Sequence, residues 1–336
     1  MKKNITTIIV LILLTALALY LYRTQGSSTI KKELSDFAVE DTASITKIFL
    51  ADRSNRTILL ERVDEVKWKL NNKYTAKQDA VNNLLEVIKK VSVKAPVPKV
   101  AFENVVKQIS GSHVKIEIYQ GSDTPEKVYF VGHSDRDHTG NYMLLDGSSV
   151  PFLTHMEGFR GFLGPRYFTN ENDWRSTKIF AYQYGEIKSV QLEHTDIKSY
   201  SFKITNLGDD IFSLKSVKDN KEIENYDTLK VMQYLSLFKK VHFESFEETK
   251  TEAIIDSVKK AVPMHLITVT EANGNQKNLK TFLKPNKPGA EDELGNPITH
   301  DLDRLYALID DSTFVVIQYY VFDPIFKTID DFKKGY

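Results

Sequence analysis

Cysteine is absent from all 336 residues. Its absence excludes disulfides, thiolate zinc sites, a cysteine nucleophile and a lipid-modified N-terminal cysteine, so any anchoring must come from apolar sequence. Net charge is missing too: Lys plus Arg and Asp plus Glu number 45 each, and no overall field favours nucleic acid or an anionic membrane surface. There is no glycine-rich phosphate loop of the Walker or dinucleotide type and no Gly-x-Ser-x-Gly. P-loop, Rossmann and α/β-hydrolase chemistry therefore have no sequence candidate.

What is present is aromatic and β-branched. With 19 Phe and 16 Tyr the composition suits strands more than helices, and the length suits two domains that each bury a core. Near the N-terminus an uncharged apolar run extends from Ile5 to Tyr22; as a helix it spans about 27 Å, close to the hydrocarbon thickness of a bilayer. This predicts a single-pass anchor. The competing reading is a cleaved signal peptide with Lys2 and Lys3 as its basic start and Ala16-Leu17-Ala18 as its cleavage site. The retained anchor is preferred because the apolar run continues past that site to Tyr22. Lys2 and Lys3 keep residues 1–4 in the cytoplasm and place the body outside the inner (cytoplasmic) membrane, on the periplasmic side in a Gram-negative cell. Arg23, Lys31 and Lys32 on the other flank oppose that orientation.

After a linker at 23–40 the chain carries an internal repeat. Residues 45–70, "ITKIFLADRSNRTILLERVDEVKWKL", read as three strands. Thr75 and Gln78 then form a capping-box pattern, followed by Val81, Leu84, Leu85, Ile88 and Val91 at helical spacing, which predicts a helix over about 76–91. The same order recurs from Ile187, with Asp227 as N-cap and a helix through Met232, Leu235 and Phe238. "LEVIKKV" at 85–91 matches "LSLFKKV" at 235–241. Short helices follow near Phe102–Ile109 and Glu252–Lys260, then strands expected to open at His113 and His265. "YMLLDGS" from Tyr142 matches "YALIDDS" from Tyr306. The expected fold is thus α+β: two tandem copies of a strand-rich unit with one main and one short helix each, at 41–160 and 183–336, joined by a linker at 161–182.

Around that linker Arg160, Arg166 and Arg175 interleave with Phe159, Phe162, Tyr167, Phe168 and Trp174. Cation–π recognition of a partner is one reading, with Arg160, Arg166, Trp174 and Arg175 as its residues; packing of aromatics is the plainer one.

Three stretches together carry a resemblance. The strand–strand–Trp–helix opening at Ile45–Val91, "YFVG…GNYML" at Tyr129–Leu144 and "PRYF…DWRS…IF" at Pro165–Phe180 resemble the domain-of-unknown-function family 4340. The resemblance implies a single N-terminal membrane helix, an extracytoplasmic body and an accessory role beside ABC-type export or gliding-motility-type permeases. Since no catalytic residues are established for that family, none is carried over.

One motif points elsewhere. "GHSDRDHTG" contains His133, Asp135, Asp137 and His138, similar to the His-x-His-x-Asp-His metal motif of metallo-β-lactamase-fold hydrolases, with His194, Asp209 or Asp210 and His242 as further ligands. Three features oppose it. Asp135 stands where the motif has its second histidine, a strand pattern rather than a helix follows, and the second copy has a longer, unrelated loop over 285–304. The pairs Asp209-Asp210, Asp310-Asp311 and Asp330-Asp331 read as turns. The preferred reading is a non-catalytic, cofactor-free membrane protein with a permease or ATPase subunit as partner. The runner-up is a membrane-tethered, metal-dependent hydrolase.

Overall fold

The computed structural model describes residues 13–18, 20 and 35–335. Within the expected anchor Ile5–Tyr22, residues 13–18 and 20 are helical and exposed, and the remainder lies outside the described residues, as does 23–34 of the expected linker. Among the described residues no helix is long and apolar enough to cross a membrane. The fold is mixed, with antiparallel sheets dominating, and the chain divides into two units, residues 1–176 and 177–336.

The first unit contains β1 (Lys47–Asp52), β2 (Thr57–Arg62), β3 (Trp68–Leu70), β4 (Tyr74–Thr75), α1 (Gln78–Lys90), β5 (Val91–Pro96), α2 (Lys99–Gly111), β6 (Val114–Tyr119), β7 (Lys127–Ser134), β8 (Asn141–Leu145), β9 (Phe152–Met156) and the single turn α3 (Glu171–Trp174). The sheet order is β4-β3-β2-β1-β6-β7-β8-β9-β5. Period-2 alternation splits its side chains between two faces. Ile48, Leu50, Tyr129, Val131 and Met143 join the main core with Val81, Leu84, Val87 and Ile88 of α1. Phe130, Tyr142 and Leu144 face the other way, onto Val105 and Ile109 of α2.

The second unit contains β10 (Lys178–Phe180), β11 (Ile187–His194), β12 (Phe202–Gly208), β13 (Ile211–Ser216), α4 (Thr228–Ser236), β14 (Val241–His242), β15 (Ser245–Phe246), α5 (Glu252–Lys260), β16 (His265–Glu271), β17 (Gln276–Pro285), β18 (His300–Ile309), β19 (Thr313–Gln318) and α6 (Tyr319–Phe322). Its main sheet runs β13-β12-β11-β16-β17-β18-β19-β15, the order of the first sheet from β3 to β5. Here too α4 packs on one face through Val231, Tyr234 and Leu235, and Ile255 and Val258 of α5 pack on the other, against Phe282, Tyr306 and Leu308.

Register corrects one detail of the sequence alignment. Ile48 pairs Ile118 and Leu50 pairs Ile116, just as Val190 pairs Val269 and Leu192 pairs Ile267. Two residues on, Asp52 faces Val114 and His194 faces His265. The counterpart of His265 is therefore Val114, not His113, which precedes its strand.

Two further expectations change. The capping box at Thr75 and Gln78 does not form: Thr75 pairs with Lys69 in the sheet and Ala76 bridges Arg175, so the chain stays extended until Lys77, the N-cap of α1. The Lys77 N–H is taken instead by the carbonyl of Trp174, at 2.7 Å. In the second unit Asp227 caps α4 by accepting from Leu229 and Lys230 N–H, while its own N–H donates to the Phe332 carbonyl, also at 2.7 Å. Tyr226 bridges Lys333 as Ala76 bridges Arg175. In place of the expected linker 161–182 the structure has a closing segment of the first unit through Ser176, equivalent to the closing segment that ends at Lys333, and then β10 of the second unit. The reason is local, since the backbone N–H at the N-cap of each main helix takes its acceptor from that segment.

Candidate functional site

The sequence-predicted motif sits on the β7–β8 hairpin, and its four side chains do not converge on one point. Asp135 organises the turn: Oδ1 accepts from the N–H of Thr139 (2.6 Å) and Gly140 (3.1 Å), and Oδ2 accepts from the Thr139 hydroxyl (2.7 Å). Burial pushes the Asp135 carboxyl up, but these Thr139 and Gly140 bonds outweigh it and hold it below the usual carboxylate range. His138 occupies the left-handed region at φ 53°, its Nδ1 2.9 Å from the Ser134 hydroxyl and its ring 5.2 Å from that of Phe162. Asp137 and His133 are exposed. Among the described residues, no group of three or more His, Asp or Glu side chains is gathered in a way that could hold a metal ion.

The further candidates all belong to the second unit. His194 Nε2 lies 2.9 Å from the Lys327 carbonyl, and His242 Nδ1 lies 3.1 Å from the Thr177 hydroxyl. Asp209 and Asp210 form the β12–β13 turn at φ 50° and 55°. Asp310 and Asp311 turn β18 into β19 and pair with Lys277 and Lys280, whereas Asp331 closes a capping box with Thr328.

The arginine–aromatic stretch is largely consumed by packing. Trp174 is buried, stacks on Phe168 at 4.2 Å and donates Nε1–H to the Phe168 carbonyl. Arg175 lies over Tyr74 at 4.0 Å and Arg166 over Phe159 at 4.2 Å. Arg160 is exposed.

Asn141 was not singled out in the sequence. It is 2 % exposed, its Nδ2 donates to the Gly132 carbonyl, and its Oδ1 accepts from the N–H of Leu163 (2.5 Å) and Gly164 (2.9 Å). The amide thereby fastens the closing segment to the sheet. The legible signal was a polar residue at an inward position of an otherwise apolar strand, where the second copy has Leu305.

Fastened this way, the closing segment leaves an open cleft of about 590 Å³ against the ends of β1, β6 and β7. Asp52, Arg53, Arg56, His113, His133 and Asp173 supply its ionisable groups. The Asp52 carboxylate is fully engaged: Oδ2 accepts from Arg56 Nε (2.8 Å) and the Thr169 hydroxyl (2.6 Å), and Oδ1 accepts from Ser54 N–H. Burial pushes its carboxyl up, and the Thr169 and Arg56 bonds bring it below its ordinary value. His113 Nδ1 lies 2.7 Å from the Ile109 carbonyl. Arg53, His133 and Asp173 are exposed, and no side-chain bond joins them to other described residues.

The same place in the second unit is filled. Counting back from Trp174 and Phe332, Thr169 corresponds to Lys327 and Phe168 to Phe326. His194 stands for Asp52 and meets Lys327 as Asp52 meets Thr169. His265, in the position of Val114, lies flat on Phe326, 4.0 Å between ring centroids at 10°. In the first unit Val114 offers no ring, and Phe168 turns onto Trp174 instead. One topological position is thus an open cleft in one unit and carries a His265–Phe326 ring stack in the other.

No protein-family model, no curated protein and no solved structure matches the chain.

Proposed function

We propose that this is a single-pass, membrane-anchored extracytoplasmic binding or scaffolding protein, built from two tandem copies of one α+β unit and serving as an accessory in an ABC-type export or gliding-motility-type complex. Ile5–Tyr22 is its anchor in this reading, and the resemblance to domain-of-unknown-function family 4340 supports the accessory role. The duplication is supported by the common strand order of the two sheets and by the repeated closing bonds, Lys77 to Trp174 and Asp227 to Phe332. The single observation that carries a binding role is the cleft beside Arg53 and His133, open where the second unit places His265 on Phe326. A hydrolase built on His133, Asp135, Asp137 and His138 has no support from the geometry, because Asp135 and His138 are spent on the turn.

Affinity purification of the full-length protein from native membranes in mild detergent, with mass spectrometry of what accompanies it, tests the reading. Recovery of a permease or ATPase subunit in comparable amount is expected. Recovery of the protein alone would overturn it.

A further inference from the structure

We infer that the cleft of the first unit binds an oxyanion, a carboxylate or a phosphate group on a small ligand, with Arg53 as its cation and His133 as a second donor. The inference rests on the binding reading above and adds the ligand's chemistry. Two acidic residues, Asp52 and Asp173, and two arginines, Arg53 and Arg56, line the cleft. The Asp52 carboxylate and Arg56 neutralise each other, with Arg56 Nη2 also 2.7 Å from Asp52 Oδ2. That leaves Arg53 as the cation with no ion pair among the described residues, with Asp173 as the remaining acid of the lining. A planar guanidinium suits bidentate contact with carboxylate or phosphate oxygens. His133, Ser54 and Ser112 line the same space, and their side chains are donor types. The volume of about 590 Å³ falls in the range of small-molecule sites.

The test follows melting of the full chain in mild detergent at fixed ionic strength with inorganic phosphate, succinate or chloride. A saturable rise in melting temperature is expected with phosphate, succinate or both, and not with chloride. The anion that gives it identifies the ligand group. Arg53→Gln is expected to weaken the apparent affinity about tenfold or more, and His133→Gln to weaken it less. Both residues are exposed, so melting of the variants in chloride should match wild type. Absence of a saturable rise with either anion, or an equal rise in Arg53→Gln, would overturn the inference. Purification from membranes in parallel separates the two claims: a partner recovered without anion binding removes only the ligand assignment, and anion binding with no partner removes only the accessory role.

Discussion

The backbone N–H of Lys77 donates to the carbonyl oxygen of Trp174 at 2.7 Å, tying the start of the main helix to the end of the closing segment. The bond depends on where the Trp174 side chain anchors. The indole is completely buried, stacked on Phe168 and bonded to its carbonyl. Phe332 does the same for Asp227 in the second unit, packed edge-on against Phe202 and Tyr234. Trp174→Ala and Phe332→Ala are each expected to cost about 3–5 kcal/mol by cavity formation. Chemical denaturation checks this. A loss below about 1 kcal/mol in either would show that the closing segments are not integral to their units.

The hairpin makes a different prediction, one that separates turn from metal site. Asp135 accepts three hydrogen bonds and Asp137 points to solvent. Asp135→Ala is therefore expected to lose about 1–3 kcal/mol, and Asp137→Ala to stay within about 0.5 kcal/mol of wild type. Two metal ligands would instead fall together, and added chelator would lower the melting temperature of wild type. Neither effect is expected here.

Much of the architecture is legible in the sequence because strand and helix periodicities come from burial. Val81, Leu84 and Ile88 report a helix face, and the matched heptapeptides at Tyr142 and Tyr306 report equivalent strands. The closing segments are less legible because they contain no periodic element. Residues 164–175 carry Gly, Pro and Asn, the usual marks of a linker, yet their backbone is held by long-range partners at Lys77 and Asn141. The cleft was hidden for a related reason. Asp52, His133 and Asp173 lie far apart in the chain, and only the fold brings them to one opening. The His133 cluster drew notice by its spacing, but Asp135 at the start of a short turn finds backbone N–H groups before any ligand.

Acid sensitivity is expected from the second unit. Burial, and then the neighbouring charge of His194, push the His265 imidazole down to about 4 from an ordinary 6.5, with Asp196 opposing. The folded protein keeps this ring neutral while the unfolded chain takes up a proton. Its stabilising contribution is therefore complete above about pH 6.5 and is lost progressively as the pH falls from there toward 4. His265→Phe retains a ring against Phe326 and removes the titration. Its stability relative to wild type should rise between pH 6.5 and 4. A constant difference across that window would place the acid sensitivity elsewhere.

Asn141 offers the sharpest link between fold and cleft. Its Oδ1 accepts from Leu163 and Gly164, and Gly164 lines the cleft. The next-door Gly140 has no room for a Cβ, which would meet the Thr154 carbonyl, so the two strands approach closely beside Asn141. Asn141→Leu, the residue type at the equivalent Leu305, keeps apolar volume but leaves the Leu163 and Gly164 N–H groups without their acceptor. At about 1–3 kcal/mol for each of the two unmet N–H groups, the expected loss is about 2–6 kcal/mol, accompanied by faster hydrogen exchange at Leu163 and Gly164. The response to the cleft's anion should weaken with it, because the wall that carries Thr169 and Asp173 loses one of its fastenings. Unchanged exchange at those two amides would mean that the closing segment is positioned by its other contacts, Trp174 and the Thr169–Asp52 bond, without Asn141.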